Sequence, residues 1–339
     1  MKKKSLAIAL LSLLPLAAYA QSSVTIYGVA DASVGREDSD APGVGSRTVI
    51  SSGTQSTSRI GFRGTEDLGN GLKALFNFEA GVALDNGAAD AAGLFQRRAV
   101  VGLQGAFGTV TVGREYSPIA IVVQSGDPLG HGFYGSSLAG FGNLRATRRL
   151  SNSVNYKSES MAGFTALAAY SAGERTPSDP SGDLAGVALE YRNGPVYVGG
   201  GYHRVERLAT GDDKELAFAA GITMGAFEVR GSYMEADPEG ANNEFRHYIL
   251  GGTYTAGVNK FFLAAHQQRL ETGARGNGFS LAYTYNLSKR TNLYTSYARV
   301  NNNGLGAFGL TSAGGSFNPP ATAFGADPSV FNVGVRHSF

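Results

Sequence analysis

Five histidines are the first candidates for catalysis or metal binding, and they lie at positions 131, 203, 247, 266 and 337. Their spacing matches none of the short motifs that bring histidines together around zinc. The chain has no cysteine, which excludes thiolate metal sites, disulfides and a cysteine nucleophile. No G-x-S-x-G stretch marks a hydrolase elbow, and residues 304–309 fit G-x-G-x-x-G only outside a βαβ context. The sequence therefore predicts no catalytic residue, no metal ion and no cofactor.

Arginines are the charged residues whose spacing indicates a function. Arg59 and Arg63 alternate with Ile60 and Phe62, so an extended strand presents the two guanidinium groups on one face. Arg149 is likewise out of phase with the apolar residues that follow it. Guanidinium groups that converge on a narrow passage set up a field that attracts anions. The alternative is a set of well-solvated charges without a special field.

The composition limits the classes of protein to which this chain can belong. Its 339 residues include 48 Gly, 16 Tyr and 19 Phe but only 11 Pro, which favours an all-β architecture. Hydrophobic residues make up 42% of the chain, yet no stretch after the N-terminus approaches the run of about 20 apolar residues that a membrane helix needs. Charged residues are only 17%, which argues against disorder.

The N-terminal stretch predicts export from the cytoplasm. Residues 1–20 combine three lysines, a short apolar core and the small-residue site Ala18-Tyr19-Ala20, as in a cleaved secretory signal peptide. A membrane anchor is the alternative, for which the core is short. Without these lysines the chain has 29 − 3 = 26 basic and 27 acidic residues, so its charge does not point to nucleic acid. The mature protein is expected to be one domain, residues 21–339.

Alternation of apolar and polar residues recurs along the whole mature chain. In residues 72–79 every second side chain is apolar, which is the pattern of a strand with one apolar and one polar face. Short Gly- and Asn-rich turns alternate with long polar connections, as in an up-and-down meander. The predicted strands are sixteen in number: 23–36, 58–67, 71–84, 94–106, 108–116, 148–161, 164–173, 183–193, 195–206, 214–224, 226–236, 246–256, 259–271, 277–287, 291–302 and 329–339.

These two-faced strands predict a membrane barrel. A soluble meander needs a second layer over its apolar face, and the opposite face carries residues such as Lys73, Asn77 and Arg230 that cannot fill a dry core. Closing the sheet with apolar faces toward lipid pairs every backbone group and leaves no edge. The expected fold is therefore a 16-stranded antiparallel transmembrane β-barrel, wide enough for a water-filled lumen.

Six stretches carry a family resemblance: 24–28, 58–67, 97–103, 107–114, 152–156 and 333–339. In order and spacing they resemble the trimeric general porins of Gram-negative outer membranes, of the betaproteobacterial type. The resemblance implies a homotrimer in the outer membrane that contacts lipid and lipopolysaccharide and passes small hydrophilic solutes and ions. It also implies insertion by the barrel-assembly machinery, for which an aromatic C-terminus such as Phe339 is the signal. Alternatives are a solute-specific channel, a barrel enzyme and an adhesin.

The same resemblance implies that the third outer loop, residues 117–147, folds inward and narrows the lumen. Its only carboxylate is Asp127, where the family often places several acids. The residues expected at the constriction are Arg59, Arg63, Arg97, Asp127, Arg145 and Arg149, and their excess of positive charge predicts an anion preference. The local pattern leaves open whether Arg97 or Arg98 points inward. Arg114 shares its parity with outward valines, so it is either part of a subunit-interface ion pair or a charge at the membrane rim.

Overall fold

The computed structural model describes residues 23–89, 93–142, 145–174, 182–207 and 211–339, and the predicted signal peptide lies outside this part of the chain. Within these ranges strands dominate, with one α-helix, α1 (Pro118–Gly126), and one 3-10 turn (Ser137–Gly140). The strands are the following: β1 (Ser23–Asp38), β2 (Arg47–Ser52), β3 (Arg59–Gly69), β4 (Leu72–Gly81), β5 (Arg98–Gly105), β6 (Gly108–Tyr116), β7 (Arg149–Lys157), β8 (Phe164–Ser171), β9 (Leu184–Asn193), β10 (Val196–Arg207), β11 (Gly211–Met224), β12 (Phe227–Asp237), β13 (Phe245–Ala256), β14 (Asn259–Leu270), β15 (Arg275–Asn286), β16 (Thr291–Asn302), β17 (Leu310–Ser312), β18 (Gly315–Phe317) and β19 (Ser329–Ser338).

The sheet closes into a barrel because its first and last strands pair. β1 runs antiparallel to β19 from Val29 opposite Ser338 to Asp38 opposite Ser329, and every other neighbour in the barrel wall is also antiparallel. β2 and β3 both pair with β1, so they act as a single interrupted strand. Counted in this way the barrel has sixteen strands, which confirms the predicted fold.

The interruption between β2 and β3 was not predicted, since residues 37–57 read as one outer loop. β1 has 16 residues, and its outer half offers β2 a partner strand. Residues 53–58 then leave the sheet opposite Asp31, whose backbone carbonyl accepts a hydrogen bond from the Gly53 amide at 2.8 Å. The pairing with β1 is therefore interrupted at this level of the barrel, immediately before Arg59.

The two faces of the wall differ as a lipid-embedded barrel requires. Val187 and Leu189 of β9 are 57% and 50% exposed, whereas Ala188 between them is 7% exposed. On β10 the same alternation separates Val198, 50% exposed, from Tyr197, 7% exposed. An outward apolar band around a polar interior is the pattern of outer-membrane barrels.

Helix α1 begins the third outer connection and packs on the buried side chains of the wall, which alternate along the strands with the exposed apolar ones. Ser117 caps it by accepting a hydrogen bond from the Ala120 amide, and Pro118 occupies the first turn, where its missing N–H costs nothing. Ile119 and its apolar neighbours contact the small side chains of Ala188 and Ala217. Within the described ranges, no helix is long and apolar enough to cross a membrane.

The hairpin of β17 and β18 links distant parts of the chain. The Ala313 amide donates to the Gly132 carbonyl at 2.8 Å, which ties the hairpin to the third connection. The Ala313 carbonyl accepts the Thr57 hydroxyl at 2.6 Å, which ties it to the strand interruption. The last outer connection therefore braces both segments beside Arg59.

Candidate functional site

Glu79 on β4 gathers two of the predicted arginines. Its Oε1 lies 2.5 Å from Arg97 Nε, and its Oε2 lies 3.3 Å from Arg59 Nε. Tyr27 also donates its hydroxyl to Oε2 at 3.0 Å. One carboxylate therefore holds two guanidinium groups, and the group keeps a net positive charge.

The strand interruption orients Arg59. The Arg59 guanidinium donates to the Thr57 carbonyl at 2.9 Å and to the Ser56 hydroxyl at 3.1 Å. Asp31, which is fully buried, fixes this backbone by accepting the Ser56 amide at 2.7 Å. Tyr294 lies on β16, which is separated from β1 by β19, and it donates its hydroxyl to Asp31 at 2.6 Å. Asp31 and Tyr294 therefore hold in place the turn that presents Arg59.

Tyr116 at the end of β6 joins Arg97 to a second pair of arginines. Its hydroxyl oxygen lies 3.2 Å from a terminal nitrogen of both Arg97 and Arg149. The guanidinium groups of Arg148 and Arg149 lie 5.7 and 4.9 Å from the centre of its ring, in the geometry of cation–π contacts. Burial and the neighbouring Arg149 lower the pKa of Arg148 to about 10, which leaves it cationic near neutrality.

We call Arg59, Arg97, Arg148, Arg149 and Glu79 the arginine cluster. Among the described residues, Arg148 and Arg149 form no ion pair, so four positive charges face one negative charge. A cavity of about 260 Å³ opens beside the cluster and is lined by Arg59, Arg97 and Arg148. Such a cavity is suited to small anions, because Arg offers several donors in a fixed fork.

Asp127 lies outside the arginine cluster and accepts hydrogen bonds from its own segment. Its side chain is 1% exposed, and it accepts hydrogen bonds from the amides of Leu129, His131 and Ser137 at 2.7, 3.2 and 2.9 Å. The Ser137 hydroxyl adds a fourth bond at 2.6 Å. Burial raises the pKa of the Asp127 carboxyl, and these bonds oppose the rise. Asp127 therefore organises its own segment.

Two other predicted arginines stand apart from the cluster. Arg145 donates to the Ala139 carbonyl and lies 4.3 Å from the ring centre of Phe245, and burial lowers its pKa to about 10. Arg63 is exposed and lies over the ring of Tyr27 at 5.1 Å. Neither takes part in the contacts that hold the other arginines around Glu79 and Tyr116.

Arg97 and Arg98, of which the sequence left open which one points inward, have different partners. Arg97 precedes β5, so its side chain is free of strand parity and turns toward Glu79. Arg98 begins β5 and pairs with Glu115 at 2.5 Å. Arg98 therefore carries a neutralising partner of its own, whereas Arg97 shares Glu79 with Arg59.

The remaining predicted residues lie at the wall. Arg114 donates to the Gln96 carbonyl at 2.6 Å and to the Ser151 hydroxyl at 2.5 Å. Phe339 is 49% exposed, and its backbone exchanges two hydrogen bonds with Gly28 of β1. Their roles at a subunit interface and in assembly stay predictions.

Sequence reasoning missed the organising partners of the arginines. Tyr116 ends a strand, where an aromatic residue suggests a membrane interface, and nothing local indicated that it receives two guanidinium groups. Asp31 stands in a strand whose alternation predicts its inward face but not its contact with Ser56. In the part of the chain that the structure describes, no three His, Asp or Glu side chains could hold a metal ion.

A closed 16-stranded barrel with an apolar outside and charged groups within defines the class of outer-membrane diffusion channels. The chain belongs to the Gram-negative porin family, whose model matches residues 7–305. It is therefore an outer-membrane porin, a channel for the passive diffusion of small hydrophilic solutes.

Several relatives are similar over their whole length. Outer membrane porin protein 32 of Delftia acidovorans is 32% identical, and an outer membrane porin protein of Bordetella pertussis is 33% identical, each over 100% of both chains. The solved anion-selective porin from Comamonas acidovorans is 30% identical and has a TM-score of 0.83, with 94% of this chain and 100% of that chain covered.

Proposed function

We propose that this porin favours anions and that the arginine cluster provides the preference. The cluster carries three net positive charges, and Asp127, the single acid of the third connection, is enclosed by its own segment. The similar porin of Comamonas acidovorans, described as anion-selective, supports the same direction. We infer that the chain acts as a channel without catalytic activity, in keeping with its family.

The proposed passage is narrowed by the third outer connection, residues 117–147. Its helix packs on side chains that alternate with the lipid-facing ones, which supports a place inside the barrel. Its far end carries Arg148 and Arg149 toward Tyr116. A lumen narrowed at the level of the cluster brings a passing ion within a few ångströms of these charges, where their field is strongest.

The zero-current potential across a KCl gradient tests the proposal directly. We expect the sign of a chloride-selective channel, because several guanidinium groups outweigh one carboxylate. The potential should persist from pH 6 to pH 8, since arginine stays charged. It should shrink as salt rises, because the Debye length falls from about 10 Å at 0.1 M to about 3 Å at 1 M. A potassium-selective sign at low salt would overturn the proposal.

We also propose that the channel is a homotrimer packed through the outer walls of β5 and β6. Val101, 60% exposed, and Val112, 52% exposed, lie opposite each other on the outer face of these strands and contribute to an apolar surface. Arg114 lies at the edge of this surface, where it could meet a neighbouring subunit. Unheated detergent gels are expected to show a species of about three times the monomer mass. A monomer in native mass spectrometry in mild detergent would contradict this.

Export and assembly complete the proposed function. Residues 1–20 act as a cleaved signal, and Phe339 is recognised by the barrel-assembly machinery before the barrel contacts lipid and lipopolysaccharide. Support comes from the exposed ring of Phe339 at the end of the closing strand. Deleting Phe339 is expected to lower the amount of folded protein in the outer membrane, measured as heat-modifiable barrel. A normal yield from the deletion variant would count against this role.

A further inference from the structure

The two ends of the third outer connection lie side by side at the wall. The Ser117 hydroxyl donates to the Thr147 carbonyl at 2.6 Å, and the Ser117 amide donates to the Arg148 carbonyl at 3.0 Å. Thr147 directly precedes the two arginines that lie over Tyr116. Contacts that hold the two ends of this connection therefore also fix the backbone of Arg148 and Arg149.

One wall histidine holds the first end. His203 of β10 accepts a hydrogen bond at Nε2 from the Ile119 amide at 3.3 Å. That amide is in the first turn of α1, where backbone N–H groups lack partners within the helix. The neighbouring Ala120 amide is bonded to the Ser117 hydroxyl, so side chains satisfy the start of the helix.

One wall carboxylate holds the second end. Glu215 of β11 accepts the Thr147 amide at 2.9 Å through Oε2 and the Thr147 hydroxyl at 2.7 Å through Oε1. Glu215 is the direct cross-strand partner of His203, and its Oε2 lies 2.9 Å from His203 Nδ1. The Ile119 amide can only donate, so His203 Nε2 is the acceptor. The ring proton is therefore on Nδ1, which donates a hydrogen bond to Glu215.

The wall is shaped around this contact. His203 is fully buried, and its ring lies over Gly186 of β9, where an added Cβ would come within 2.4 Å of it. Both ring nitrogens of His203 have partners. By contrast, the described contacts give no partner to either ring nitrogen of the buried His247 and His266. Full pairing therefore distinguishes His203 from these two buried histidines of the wall.

We propose that His203 and Glu215 are positioning residues for ion selection, which act by clasping both ends of the third connection. His203 orders the entry through Ile119, and Glu215 orders the exit through Thr147. The clasp thereby fixes Arg148 and Arg149 against Tyr116. This inference rests on the proposed function, in which the cluster selects anions.

Two substitutions of His203 separate positioning from simple packing. In His203→Gln the carboxamide reaches the place of Nε2 and can still accept the Ile119 amide. In His203→Phe the ring volume is kept but neither bond can form. If His203 acts by positioning, His203→Gln should show quiet currents close to those of the wild type. His203→Phe should show transient conductance changes about tenfold more often than the wild type, which is the size of effect expected from the loss of one buried hydrogen bond. It also predicts a lower chloride preference for Phe. Packing alone would reverse the order, and that result would overturn the proposal.

A second variant covers the case in which both His203 variants fail to assemble. Thr147→Val removes one bond to Glu215 and keeps the side-chain volume, and Thr111→Val on β6 is the control, because Thr111 is buried but not bonded to Glu215. In single-channel recordings of the full-length protein we expect more frequent transitions for Thr147→Val than for Thr111→Val. Equal behaviour would overturn the clasp. A wild-type channel without chloride preference would instead overturn the proposed function, so the two failures are distinguishable.

Discussion

Replacing Arg59 and Arg97 together by glutamine is expected to lower the chloride-to-potassium permeability ratio severalfold at low salt. The cluster then changes from three net positive charges to one, and Glu79 loses both of its ion-pair partners. A unit charge at about 4 Å in water is worth about 1 kcal/mol, or about a fivefold change in local ion concentration. The zero-current potential across a KCl gradient measures the effect.

Glu79→Gln is the matched control for this variant. It removes the single negative charge of the cluster and should therefore raise the chloride preference. The two variants thus shift the potential in opposite directions while both break the same ion pairs. If both shifted it equally in one direction, disruption of structure and not charge would be the cause. An unchanged potential in the double arginine variant would remove the cluster from ion selection.

Replacing Asp127 by alanine is expected to disorganise the third connection. Three backbone amides and the Ser137 hydroxyl would lose a buried acceptor. Each buried donor without a partner costs about 1–3 kcal/mol, so the segment cannot keep its present form. We expect a larger and noisier single-channel conductance and a lower temperature of barrel unfolding, read as heat modifiability on gels.

Asp127→Asn is the comparison for the alanine variant. The asparagine side chain keeps the shape of aspartate and one acceptor oxygen. Its NH2 group takes the place of the second oxygen and can no longer accept the hydrogen bonds of Ser137. Its conductance should therefore fall between those of wild type and alanine. Wild-type conductance and stability in Asp127→Ala would contradict the assigned role of this carboxylate.

The barrel was predictable because strand alternation is a local property. One apolar and one polar face recur in each segment, and short turns such as Ala106–Gly108 keep successive strands adjacent. The interruption at residues 53–58 escaped prediction because its cause is distant in sequence: Asp31 and Tyr294 hold it. A polar, Gly- and Ser-rich stretch reads as a loop whether or not part of it pairs with a strand.

The site was predictable only in part, for the same physical reason. Parity placed Arg59 on the face of Glu79, and the structure brings the two together. Parity says nothing about residues outside strands, so Arg97 remained ambiguous until its contact with Glu79 was seen. The resemblance predicts Asp127, the one acid of its loop, at the constriction, but neither resemblance nor parity indicated that its hydrogen-bond donors come from that same loop.

The pairing of β1 with β19 has a consequence for the time course of folding. It joins Val29 to Ser338, so barrel closure depends on contacts between the two ends of the chain. Contacts of such large sequence separation form slowly, because most of the chain must be ordered before they can be made. Until the last strand arrives, a growing sheet keeps two unpaired edges, which would template association with other chains. Barrel closure is therefore the step that completes folding. Before closure, the unpaired edges of this protein are most exposed to association with other chains.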